Sequence, residues 1–417
     1  MVVKKLILGF FLLPLAASGI DTMPGVFDEQ IKSLRVHALG NDFGAPIVVL
    51  NSDDQILIEF DQLAEDREYF RYTLTHCNAN WQPSGLVESE FLDGFNEGTI
   101  ENYDFSRATK IHYVHYELAI PNEQVRPTIS GNYLLKIYAE NDPETTLLQC
   151  RFMVSESRAK ISAYASAQTD IDYNSAHQQV NVVVDVEDAM VDDMFNDLVV
   201  YVSQNGRMDN ETAARQPLRV SGSKAYFEHQ PRFIFDAGNE YRRFEAISDY
   251  YPGMNVDQIA YYEPYYHYNI RPDQPRNDES YVYDETQNGR FFIREYNSDQ
   301  SDVEADYGVM HLSLQMDEMP GALVFVDGDF VQRRFDENSR LHYNEANQAY
   351  ERAFLLKQGA YNYQYLVVQP GAKRGYTAQV EGDKFQTINE YLIKVYHRRR
   401  GDRYDRLIGT AAIRTDI

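Results

Sequence analysis

Near the end of the chain, Tyr361, Tyr363 and Tyr365 alternate with Asn362 and Gln364, and Tyr391, Ile393 and Val395 alternate with Leu392, Lys394 and Tyr396. Successive side chains of a strand face opposite sides of a sheet, so a period of two is a strand signature. With Glu381-Gly382-Asp383 between them, the two runs read as strand, turn, strand closing an all-β domain. The same period recurs upstream at Ile56, Ile58 and Phe60, at Phe70, Tyr72 and Leu74, at Val114, Tyr116 and Leu118, at Tyr133, Leu135 and Ile137, and at Val180, Val182, Val184 and Val186. Thirty-two tyrosines and 22 phenylalanines stand against one tryptophan, a bias toward strands. No long amphipathic helix and no internal repeat are visible.

Residues 1–19 read as an export signal. Lys4 and Lys5 precede the apolar run Leu6 to Leu13, and Ala16-Ala17-Ser18-Gly19 offers small residues for cleavage near Ser18 or Gly19. Residues 20–156 read as a first β-sandwich of immunoglobulin or fibronectin type, with Trp81 packing in its core or over one end. Residues 157–307 read as a second sandwich, with a type I′ turn at Asn205-Gly206. Residues 308–417, opening at Leu323 to Phe330, read as a third.

The second region carries a long loop by this reading. Tyr250, Tyr251, Tyr261, Tyr262, Tyr265, Tyr266 and Tyr268 crowd together with Pro252 and Pro264, and Arg271 to Asp306 holds ten acids against four arginines. An apolar ring with a polar tip suits interfaces, so these tyrosines are a candidate partner surface. Packing between domains is the other reading.

The formal charge of −25 opposes binding to nucleic acid, whose phosphates call for a basic surface. After the signal, no segment is apolar enough to cross a membrane as a helix. Cys77 and Cys150 are the two cysteines. They form a disulfide or serve as buried thiols, and sequence leaves both open.

Reactive signatures are missing. No glycine-rich strand-to-helix turn marks a nucleotide site, and Ser221-Gly222 is not a nucleophile elbow. His112 and His115 fall in a strand pattern that points them to opposite faces, unlike a zinc hydrolase. His76 and Cys77, as strand neighbours, also face opposite ways. Asp327 and Asp329 flank Gly328 as a hairpin turn without the spacing of a calcium loop. No catalytic residue, metal or cofactor is expected.

Strings from all three regions resemble the plug protein family of the type IX secretion system of Bacteroidetes-type bacteria. They are His76-Cys77-Asn78-Ala79-Asn80-Trp81-Gln82-Pro83-Ser84, Gly94-Phe95, Ser130-Gly131-Asn132-Tyr133-Leu134-Leu135, Gly238-Asn239-Glu240-Tyr241-Arg242-Arg243-Phe244, Asn389-Glu390-Tyr391 and Gly401-Asp402-Arg403-Tyr404-Asp405-Arg406-Leu407-Ile408-Gly409, with the Leu356-to-Tyr365 run. The resemblance implies a non-enzymatic periplasmic protein that closes the periplasmic mouth of an outer-membrane translocon β-barrel when no cargo engages it. The third region also resembles glycogen-binding immunoglobulin-like modules through Val326-Asp327-Gly328-Asp329-Phe330, but lacks their sugar-stacking tryptophans. A glycan-binding β-sandwich protein is therefore the alternative, and exposed aromatic rings in a row would favour it.

Overall fold

The computed structural model describes residues 21–415, so the signal read at residues 1–19 lies outside the described residues. The chain is all-β, and its described helices are four-residue turns or short 3-10 segments.

The first sandwich sets a six-stranded sheet against a four-stranded one. Leu148–Ser155, Gly131–Ala139 and Phe70–Cys77 form the centre of the larger sheet, and Ile31–Ala38, Ile56–Gln62, Val114–Ile120 and Asn102–Phe105 make the smaller. Alternate residues fill the space between them. Ile56, Ile58 and Phe60 meet Tyr72, Leu74, Tyr133 and Phe152 in one core, as the period of two requires.

The second sandwich is assembled from distant stretches. Lys160–Ser166, His177–Asp185 and Lys224–Phe227 belong to its five-stranded sheet. Its other sheet pairs Leu198–Gln204 with Glu390–His397, which in turn pairs with Arg406–Arg414. Val180, Val182 and Val184 pack with Val200, Val202, Ile393 and Val395. This departs from the grouping expected from sequence. The two closing runs do not form one hairpin: Gly359–Val368 pairs with Arg242–Ala246, Leu323–Asp327 and Phe291–Ile293 instead. Both runs carry the same apolar alternation, and alternation fixes a strand's faces without choosing its neighbour.

The third body is a nine-stranded sheet spanning both sides of the expected boundary at 307. Tyr361, Tyr363 and Tyr365 point into its core with Phe244, Met310 and Leu312. The tyrosine-rich stretch is not a loop. Val256–Tyr262 and Tyr265–Ile270 form a hairpin, and Val256–Tyr262 ends the sheet with one neighbour. Residues 271–306 are largely irregular, as expected, apart from Phe291–Ile293 and a helical turn at Ser301–Glu304.

Candidate functional site

Apart from Gly94-Phe95, which lies at the surface of the first sandwich, the strings that carried the resemblance gather near the junctions between these bodies. The turn after Phe70–Cys77 reaches across to the C-terminal strands. The Ala79 amide donates to Asp405 Oδ2 at 3.0 Å, the Asp405 amide donates to Asn78 Oδ1 at 3.2 Å, and Tyr396 Oη donates to Asn132 Oδ1 at 2.7 Å. Cys77, Ala79, Trp81, Leu134, Met153, Tyr396 and Leu407 form a small apolar cluster between them. Trp81 is buried there, with the Arg151 guanidinium 4.3 Å from its ring centroid, so packing is its role. Gly131 has a φ of 137°, and a Cβ there would stand 2.4 Å from His76 Nε2.

His76 is buried against this junction. Its Nε2 donates to the Ser130 carbonyl at 3.1 Å, and Nδ1 faces Ser84 Oγ at 2.9 Å. Burial lowers its pKa to about 4, so the ring is neutral.

Beside a second junction stands Glu381, fully buried. Arg242 Nε reaches it at 3.0 Å and Arg276 Nε at 2.7 Å. Burial alone would raise its pKa, but the two guanidiniums hold it below the usual carboxylate range. Asn239 donates to the Glu381 carbonyl at 2.9 Å, and Asn389 donates to the Ala237 carbonyl at 2.7 Å. Asp327 is likewise committed, accepting from Tyr241 Oη, Arg333 and Gln364.

A third, polar seam joins the outer face of the four-stranded sheet to the nine-stranded body. Asp61 accepts from Lys357 Nζ at 2.6 Å and Tyr307 Oη at 2.6 Å, and contacts His115 Nδ1 at 2.7 Å. Arg35 Nη2 bridges Glu59 Oε1 at 2.8 Å and Asp302 Oδ1 at 2.5 Å. Burial opposes ionisation of Asp61, yet Lys357 and His115 hold its pKa down to about 2. His115 Nε2 stands 3.8 Å from Glu59 Oε1 and 3.6 Å from Glu117 Oε1. The sequence pattern set His115 aside as an ordinary sheet residue. Only the cross-strand pairing of Glu59 with Glu117 and of Asp61 with His115 brings these groups together. His112 is not on that strand; it precedes it and contacts Glu65 at the surface.

The seven expected interface tyrosines separate. Tyr250, Tyr251, Tyr261 and Tyr262 are exposed, Tyr251 by 72%. Tyr265 and Tyr266 are half-buried. Tyr268 is core, donating to Asp249 Oδ1 at 2.7 Å. Tyr261 and Tyr266 pair across the hairpin with ring centroids 5.0 Å apart, and Lys110 of the first sandwich lies over both. The exposed tyrosines thus sit on or beside an edge strand whose outer backbone groups have no strand partner among the described residues. Sequence reasoning passed over Phe95, which is 87% exposed. The neighbouring Asn96 is pinned to both backbone groups of Leu74, and Gly94, with a φ of 106°, lies against the Gln124 carbonyl. The Gly94-Phe95 string was the signal available for it.

Cys77 and Cys150 are free thiols. Cys150 faces the first sandwich core and Cys77 the opposite face of the same sheet, so the bridge weighed from sequence is not made. Burial raises their pKa values to about 12 and about 11. Tyr361, Tyr363 and Tyr365 are at most 2% exposed and offer no open row of rings for a glycan.

Interlocked sandwiches, with buried acids committed to ion pairs and aromatic residues beside a free edge, define an all-β, multi-sandwich class of protein. Residues 31–156 match the family model described as the type 9 secretion system plug protein 1st domain. Through this first domain the chain is assigned to the type IX secretion system plug family, which is a secretion-system family and not an enzyme class. The crystal structure of a hypothetical protein from Parabacteroides merdae is similar over 95% of this chain and 100% of that one, at 39% identity and a TM-score of 0.94. A collagen adhesin structure from S. aureus, at 5% identity and a TM-score of 0.14 over 95% of this chain and 93% of that one, bears on nothing here. No curated protein matches the sequence. Membership associates the chain with the secretion system and is consistent with a periplasmic location. No described helix is long and apolar enough to cross a membrane.

Proposed function

We propose that the protein is a non-enzymatic periplasmic plug, sealing the periplasmic opening of the type IX translocon barrel while no cargo engages it. The match of residues 31–156 to the plug family carries this reading. The three junctions support it, because a stopper must resist deformation, and charged and polar locks between sandwiches oppose sliding. The contact with the barrel runs through the edge hairpin and its exposed tyrosines. Such a contact lacks a large apolar patch, which favours a soluble free form and reversible docking. The strong negative charge speeds encounter with a basic rim more than it tightens the complex.

The test is photo-crosslinking in cells from positions 251 and 262. Adducts to an outer-membrane barrel are expected. Adducts confined to soluble proteins, together with an outer membrane no leakier after deletion of the chain, would sink the proposal.

A further inference from the structure

The His115 imidazole is buried, and among the described residues its Nε2 has no hydrogen-bond partner. That atom points between two carboxylates, at 3.8 Å from Glu59 Oε1 and 3.6 Å from Glu117 Oε1. These separations are too long for an N–H···O hydrogen bond. They are close to the spacing of ligands around a metal: donors about 2.1 Å from a tetrahedral ion stand about 3.4 Å from one another.

The surroundings are arranged for ligation. Asp61 Oδ1 lies 2.7 Å from His115 Nδ1, so Nδ1 carries a hydrogen and Nε2 is the atom left for an ion. The ion would displace the proton that burial opposes there but that Asp61 and Glu117 favour, raising the imidazole pKa to about 9. A carboxylate behind a histidine is the common outer support of a metal-bound imidazole. Asn102 Nδ2 donates to Glu117 Oε2 at 2.6 Å, leaving Oε1 turned to His115. His37 Nε2 holds Glu59 Oε2 at 2.8 Å. Arg35 Nη2 shares Glu59 Oε1, which keeps a second lone pair. Four carboxylates (Glu59, Asp61, Glu117 and Asp302) face Arg35, His37, Lys357 and the His115 ring. The Glu117 side chain is 38% exposed, and Arg35, His37, Glu59 and Asp302 line an open cavity of about 550 Å³.

We propose that His115 Nε2, Glu59 Oε1 and Glu117 Oε1 bind one divalent transition cation of the zinc type, with Asp61 holding the imidazole and water completing the shell. Imidazole nitrogen with carboxylate oxygen suits zinc, whereas calcium takes an all-oxygen shell. The ion would staple two adjacent strands at the seam with the nine-stranded body. This inference is independent of the plug reading and stands or falls separately.

Chelator-treated, dialysed full-length protein is titrated calorimetrically with zinc, and cobalt(II) is added in parallel as a visible probe. One equivalent of zinc is expected, with cobalt bands of low-symmetry, tetrahedral intensity. Glu117→Gln, at a half-exposed position, is expected to weaken zinc binding on the order of tenfold or more while the metal-free melting temperature holds. His115→Gln is expected to abolish the cobalt bands; if that variant does not fold, Glu117→Gln decides alone. Zinc heats and cobalt spectra that are the same in wild type and Glu117→Gln would overturn the site. They would leave His115 a buried imidazole that takes a proton instead of an ion.

Discussion

Lys357 Nζ lies 2.6 Å from Asp61 Oδ2, and both side chains are 1% exposed. The residues stand 296 positions apart, so this contact ties the first sandwich to the nine-stranded body. Removing one partner of a buried pair leaves an uncompensated charge. Lys357→Met is therefore expected to lower unfolding stability by about 3–5 kcal/mol in urea titration. Adding Asp61→Asn to that variant is expected to recover part of the loss, because the stranded carboxylate is gone. A double variant weaker by the full sum of the single losses would show that the pair is not coupled.

Glu381 between Arg242 and Arg276 is a buried ion cluster of the nine-stranded body, beside the second junction. Glu381→Gln keeps the shape and removes the charge, stranding two guanidiniums. A loss of about 3 kcal/mol or more is expected by the same measurement. A change inside about 0.5 kcal/mol would mean the cluster is solvated.

His76 makes stability depend on pH. Its folded pKa of about 4 lies below the unfolded value near 6.5, so the unfolded chain binds more protons between them. This contribution is complete above about pH 6.5 and is lost as pH falls toward 4, up to about 3 kcal/mol at 1.36 kcal/mol per unit. Nitrogen-15 spectra at pH 5.5 are expected to show His76 as the neutral Nε2–H tautomer. An imidazolium signal there would contradict the burial argument.

Neither thiol should react in the native state. Cys77 and Cys150 are expected to resist alkylation at pH 8 and to take two labels after unfolding without reductant. A requirement for reductant would reveal a bridge.

The tyrosines divide into two kinds by burial. Tyr251→Ala and Tyr262→Ala are expected to change stability by less than about 0.5 kcal/mol and to weaken barrel association at least about fivefold. Tyr268→Ala, which empties a core position, is expected to cost about 3–5 kcal/mol. Raised salt is expected to slow association by screening exposed charge.

Alternation at Ile56, Phe70, Tyr133, Val180 and Tyr361 was enough to read the all-β class and the inward faces, because a strand's faces follow from its own backbone geometry. The motif strings were enough to reach the family. The partners of each strand were another matter. Glu390–His397 pairs with Leu198–Gln204 across almost two hundred residues, and nothing in either run names the other. The hairpin at Val256–Ile270 was masked by its prolines and tyrosines, which read as a loop in isolation. The seam of Asp61, His115, Glu59 and Lys357 was illegible for the same cause: local pattern sets which way a side chain points, while the long-range register and the docking of one sheet on another set what it meets.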